Sequence, residues 1–190
     1  GVAVLDATDP MVADMARLIK PGEEDIMIGR ADGTVVRISP DSVNEYTTRT
    51  AKGTKGVRSD SPIVSVTTVP HNDEKSKAGA NPTTLLSITA KGFGKRSHME
   101  EYRLYESGTD KVGIKTIKLK DKDDTLVALL PVKENDHVMI FTRNGLTLRT
   151  KVSDLHEKIY GRDTEGVRIQ TVLDGDEIIA VQRISDGANF

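Results

Sequence analysis

Three times along the chain, an apolar run meets a glycine-containing turn and then resumes as alternating apolar and polar residues. The clearest copy is Val138-Met-Ile-Phe-Thr-Arg-Asn-Gly-Leu-Thr-Leu-Arg149. Asn144-Gly145 between two such runs is a strong hairpin signal, because both turn residues accept positive φ. The same layout recurs at Ile26-Met-Ile-Gly-Arg-Ala-Asp-Gly33, followed by Thr-Val-Val-Arg37, and at Leu85-Leu-Ser-Ile-Thr-Ala-Lys-Gly92, followed by Phe-Gly-Lys-Arg96.

Aligned on the turn glycine, the copies share further positions. Seven residues on stand Pro40, Met99 and Val152; ten on stand Val43, Tyr102 and Leu155. A second glycine follows, as Gly56-Val57, Gly113-Ile114 and Gly166-Val167, and an apolar run closes each copy over 63–69, 126–132 and 178–184. The turn glycines lie 59 and 53 residues apart (92 minus 33, 145 minus 92). A repeat of this length holding four short strands predicts a propeller-like blade. Val, Ile, Leu and Thr carry the pattern, which favours strands, so the expected class is all-β. The expected units are 26–69, 84–132 and 137–184. A half unit over 1–19 precedes them, in which 1–5 is a Gly-Val strand and 11–19 a closing strand. A short helix over 11–19, with Met11, Met15 and Leu18 on one face, is the alternative. The chain reads as a fragment of a larger array.

Strand alternation assigns faces. After Gly145, Leu146 and Leu148 are expected to face the core and Arg149 to face outward. The same parity turns Thr34 and Val36 inward, and Val35 and Arg37 outward. Lys95 breaks the rule, because it falls at an inward position of its repeat.

Composition narrows the function classes. The 190 residues carry 27 Lys and Arg against 29 Asp and Glu, a formal net charge of −2, so no global excess announces a nucleic-acid partner. There is no cysteine, which removes disulfides, thiolate metal sites and a cysteine nucleophile. No apolar run approaches the roughly 20 residues that span a membrane, and the expected location is cytoplasmic.

The chemistry therefore rests on local cations. Each turn glycine is followed four positions later by arginine: Arg37, Arg96 and Arg149. A lone strand arginine is ordinarily a solvated residue. Three in register on stacked blades would form an arc on one continuous outer edge, suited to phosphates along a duplex. Lys91, Lys95 and Arg143 lie beside the same turns. A second basic element precedes the first Gly-Val strand, where Arg49, Lys52 and Lys55 alternate with glycines and Arg58 follows. Glycine lets backbone N–H groups approach an anion while lysine supplies charge. Its counterparts at 106–113 and 160–166 are interleaved with acids and read as ordinary glycine-rich loops.

Enzymatic signals are thin. Gly92-Phe-Gly94 is only part of a dinucleotide fingerprint and sits in a hairpin. No Walker A sequence or nucleophile elbow occurs. His71, His98, His137 and His156 lack metal-ligand spacing, and Asp121, Asp123 and Asp124 lack the register of a calcium loop. No catalytic residue, metal or cofactor is expected in this chain.

At these residues the chain resembles a known family. Residues 85–97 with Glu101-Tyr-Arg103, 138–150, and Gly161-Arg-Asp-Thr-Glu-Gly-Val-Arg168 are similar to blades of the C-terminal domain of the DNA gyrase A subunit. The resemblance covers essentially the whole chain. It implies a β-pinwheel, a propeller-like array of four-stranded antiparallel blades with strands exchanged between neighbouring repeats. It further implies a non-catalytic domain that wraps double-stranded DNA around a basic outer rim in support of negative supercoiling. The implied partners are the remaining domains of the A subunit together with an ATPase-bearing B subunit, in a nucleoid-associated, ATP-dependent type IIA topoisomerase. The family's box of basic and glycine residues is matched only in part, by Lys52, Gly53, Lys55 and Gly56. That departure keeps open the C-terminal domain of a topoisomerase IV A-type subunit, which selects DNA geometry. A protein-interaction propeller is the alternative from another class. The family's cleavage tyrosine lies in another domain, so Tyr46, Tyr102, Tyr105 and Tyr160 are expected to serve packing or surface.

Overall fold

The computed structural model describes residues 19–20, 22–47, 56–58, 60–71, 82–105 and 112–185. The expected half unit over 1–19, apart from Ile19, lies outside the described residues, as do Arg49, Lys52 and Lys55.

Each glycine turn closes a hairpin, as its chemistry dictates. β1 (Glu24–Arg30) pairs with β2 (Thr34–Ile38), β4 (Thr84–Thr89) with β5 (Phe93–His98), and β9 (His137–Thr142) with β10 (Thr147–Lys151), all antiparallel. Gly33, Gly92 and Gly145 have φ of 78°, 84° and 88°, the left-handed region that glycine enters without a Cβ penalty. The apolar position seven residues on opens a helical turn in each repeat. These are the 3-10 turns Pro40–Ser42 and Met99–Glu101, and the single α-turn α1 (Val152–Leu155). The closing runs are β3 (Ile63–Pro70), β8 (Leu126–Val132) and β12 (Ile178–Ile184), each antiparallel to the first strand of its own hairpin.

The strands between hairpin and closing run cross to the preceding sheet. β6 (Leu104–Tyr105) and β7 (Ile114–Lys115) leave the second hairpin and pair with β2, β6 in parallel and β7 antiparallel. β11 (Val167–Arg168) leaves the third hairpin and pairs with β5. The first sheet runs β3-β1-β2-β6 with β7 also on β2, the second β11-β5-β4-β8, and the third β10-β9-β12 among the described residues. The exchange explains the second glycine of the second and third repeats. A Cβ on Gly113 would stand 2.9 Å from the Val35 carbonyl oxygen, and one on Gly166 2.8 Å from Gly94 N and O. Backbone meets backbone there, and no side chain fits.

The sheets stack. Met27, Val35, Val69, Leu85, Met99, Tyr102 and Leu129 fill the space between the first and second. Leu86, Ile88, Val132, Val138, Ile140 and Ile178 fill that between the second and third. β3 packs on β8 and β8 on β12, so the closing strands form the inner side of the array and the exchanged strands its outer rim.

Stacking corrects the expected faces. Alternation holds, but β2 is covered on both sides: Val36 packs with Ile28, Ile38 and Val57 on one face, and Val35 faces the second sheet on the other. Leu146 is 46% exposed, while Leu148 packs on the core between the second and third sheets.

Candidate nucleic-acid interface

The register of the three arginines is real in space. Arg37 lies opposite Met27, Arg96 opposite Leu86 and Arg149 opposite Met139, the same position of three hairpins. Their exposure is not as expected. Arg37 and Arg96 are buried, at 8% and 4% exposure, and only Arg149 is exposed.

The two buried arginines lock one repeat to the next. Each points toward the following repeat and donates to the carbonyl that caps its helical turn: Arg37 to Tyr102 O at 3.4 Å, Arg96 to His156 O at 3.0 Å. The incoming chain then pairs beside the arginine itself, Arg37 with Leu104 and Arg96 with Ile159, both in parallel. Arg37 also pairs with the buried carboxylate of Asp25 at 2.7 Å and donates to the carbonyls of Pro70 and His71. His71 Nδ1 closes the group at 2.7 Å from Asp25 Oδ1. A guanidinium with this many fixed acceptors is a structural clasp. The physical reason for the miss is that strand period says which residues share a face, and not whether another sheet covers it.

The other expected cations divide as follows. Lys95 is 1% exposed, and its ammonium is taken up by loop 161–164. Lys91 is half-buried and lies 3.6 Å from Asp121. Arg143 is exposed at the third turn and pairs with Glu177. Arg58 is exposed beside the first sheet, its carbonyl held by Arg30 Nη1 at 2.9 Å.

A different register carries the exposed charge. Two positions after each second glycine stands a cation: Arg58, Lys115 and Arg168, all exposed. Lys115 and Arg168 sit on β7 and β11, the outermost strands of the first and second sheets. Arg168 stacks over the Phe93 ring at 4.5 Å, with Lys120 5.1 Å from the same ring. Arg162 bridges the two sheets along the rim, donating to Lys115 O at 3.2 Å. The Lys118 backbone forms a parallel β-bridge with Glu165 beside it. Sequence reasoning noted the Gly-Val pairs and Arg58 but missed Lys115, Arg162 and Arg168. The signal was the basic residue after each pair.

The fold and rim define a class first: a propeller-like array of strand-exchanged blades whose outermost strands present cations. A family model described as the DNA gyrase C-terminal domain, beta-propeller, matches residues 25–69, 83–133 and 136–185, and the chain belongs to that family. The DNA gyrase A subunit of Chlamydia pneumoniae is 27% identical over 188 residues, covering 97% of this chain and 20% of its own length. That of Escherichia coli (strain K12) is 30% identical over 167 residues, covering 87% and 17%. That of Synechocystis sp. reaches 43% over 96 residues, covering 50% and 11%. The chain thus spans about a fifth or less of the length of these relatives. Among solved structures, a DNA gyrase A C-terminal domain superposes with a TM-score of 0.68 at 22% identity, covering 86% of this chain and 52% of its own. The C-terminal domain of a DNA topoisomerase IV superposes at 0.66 and 19%, covering 86% and 47%. Both share the fold. Among the described residues, no helix is long and apolar enough to cross a membrane.

Proposed function

We propose that this chain binds double-stranded DNA along its rim and bends it, as the wrapping part of a gyrase A subunit. The single observation that carries the reading is the cation repeated at Arg58, Lys115 and Arg168 in successive repeats. Each is exposed, and two lie on outermost strands. Spaced cations that neutralise phosphates release counterions, and modest contacts sum. Contacts from cations to phosphates carry no base information, so binding is indifferent to sequence. A net charge of −2 is compatible with this, because the field that matters is that of the rim.

In this reading the chain performs no chemistry of its own. Strand cleavage belongs to other domains of the A subunit, ATP hydrolysis to a B subunit, in a cytoplasmic, nucleoid-associated topoisomerase that introduces negative supercoils. The residues 26–69, 84–132 and 137–184 are its repeating units. Gel shifts on several unrelated duplexes test the reading. Binding at low salt is expected with similar affinity for all of them, weakening steeply as salt is added. Absent binding, or one strongly preferred sequence, would sink it.

A further inference from the structure

Lys95 occupies a position that is apolar in the other two repeats. Three residues after the turn glycine stand Val36, Lys95 and Leu148. Val36 is buried and Leu148 packs on the core, whereas Lys95 puts an ammonium into the interior at 1% exposure. Burying a charge is costly unless its hydrogen-bonding capacity is filled. Here it is filled from one place: Nζ donates to the carbonyls of Gly161 and Arg162, and to Thr164 Oγ1 at 3.0 Å. Three donors meet three acceptors, all in one four-residue stretch.

That stretch is tied down again, twice from outside and once within itself. Glu101 Oε2 accepts the Arg162 N–H at 2.7 Å, Thr164 O accepts the Lys118 N–H at 2.9 Å, and Thr164 Oγ1 donates to Gly161 O at 2.8 Å. The Arg162 guanidinium is thereby stationed beside Lys115, where the rim passes from the first sheet to the second.

We propose that Lys95 is a positioning residue for DNA binding: its buried ammonium latches loop 161–164 so that Arg162 is held ready to take a phosphate between the rim cations of adjacent blades. This rests on the DNA-binding reading above. Arg162 arrives at the duplex with its loop already ordered, which lowers the entropy lost on contact.

Titration follows from the geometry. Burial lowers the Lys95 pKa to about 8. The charged groups facing it are Glu101 on the 3-10 turn, and Asp163 and Arg162 on the loop; the two carboxylates favour the ammonium and Arg162 opposes it. Across the strand pair, β4 offers only Ser87. A neutral amine has two donors for three oxygens, so the latch loosens as pH rises through about 8. Stability moves the other way. Between about 8 and the ordinary value of 10.5 the folded state has given up a proton that the unfolded state keeps, so stability rises with pH. A latch therefore shows falling DNA affinity and rising stability over one pH range, which a residue serving stability alone would not.

The test compares the 190-residue chain with Lys95→Met, Arg162→Ala and the double variant, by fluorescence anisotropy on a mixed-sequence duplex across salt. Met keeps an unbranched stem of lysine's reach up to Cε, lacks the ammonium and is apolar, like the residues at the equivalent positions. Lys95→Met is expected to weaken binding about as much as Arg162→Ala and to lower the salt slope by about 0.9, although its own charge is buried. The double variant should bind no worse than Arg162→Ala alone. The unsubstituted chain should lose affinity between about pH 7 and about pH 9; this arm needs no folded variant, and where Lys95→Met folds, the melting temperature of the unsubstituted chain should rise relative to it over the same range. Unchanged binding by Lys95→Met, additive losses in the double variant, or a flat pH profile would each overturn the latch and leave the DNA-binding reading standing. Failure of the unsubstituted chain to bind any duplex at low salt would remove that reading, and the latch with it.

Discussion

At the scale of residues, two arginine-type registers run through the repeats, and they do opposite things. Arg37 and Arg96 face the next repeat and hold its cap carbonyls. Arg58, Lys115 and Arg168 face solvent. The difference predicts different mutant behaviour. Arg37→Met leaves the Asp25 carboxylate buried with His71 as its remaining side-chain partner, and breaking a buried pair in this way costs about 3–5 kcal/mol. Thermal or urea unfolding of the 190-residue chain would show it. A loss below about 1 kcal/mol would mean that Asp25 and Arg37 are not the clasp described. The sequence revealed the first register, because position relative to a turn is local. It could not reveal burial, which the stacked sheets impose.

At the scale of elements, the hairpins were legible because their turns demand glycine at positive φ and their strands alternate. The exchanged strands β6, β7 and β11 were not. Each is two residues long, too short for periodicity, and its partner lies in another repeat. Their trace in the sequence is the second glycine, whose reason is the close approach of two backbones. Gly166→Ala would place a methyl 2.8 Å from Gly94 N and O. Backbone cannot yield as a side-chain end can, so a destabilisation of about 1–3 kcal/mol is expected. Loss of amide protection at Val167 and Gly94 should accompany it in hydrogen exchange. An Ala variant with wild-type protection there would show that β11 does not need the contact. Lys95 belongs to this scale too. The sequence marked it as a break in alternation, and the structure shows what the break does: it reaches a loop from the following repeat.

At the scale of the molecule, exchange makes the rim a shared product. The outermost strand of each of the first two sheets is supplied by the following repeat, so rim cations and inter-repeat clasps are built by the same crossing. Bending a duplex smoothly through a typical site costs on the order of 1–6 kcal/mol. Several phosphate contacts spread along the rim offset that cost better than one strong contact. The most direct test of the rim assignment is the slope of log binding constant against log salt for the unsubstituted chain and for a variant with Arg58, Lys115 and Arg168 all changed to Ala. Three lost phosphate contacts should reduce the slope by about 2.7, with folding intact by circular dichroism. An unchanged slope in the folded triple variant would contradict the assignment of these cations to DNA.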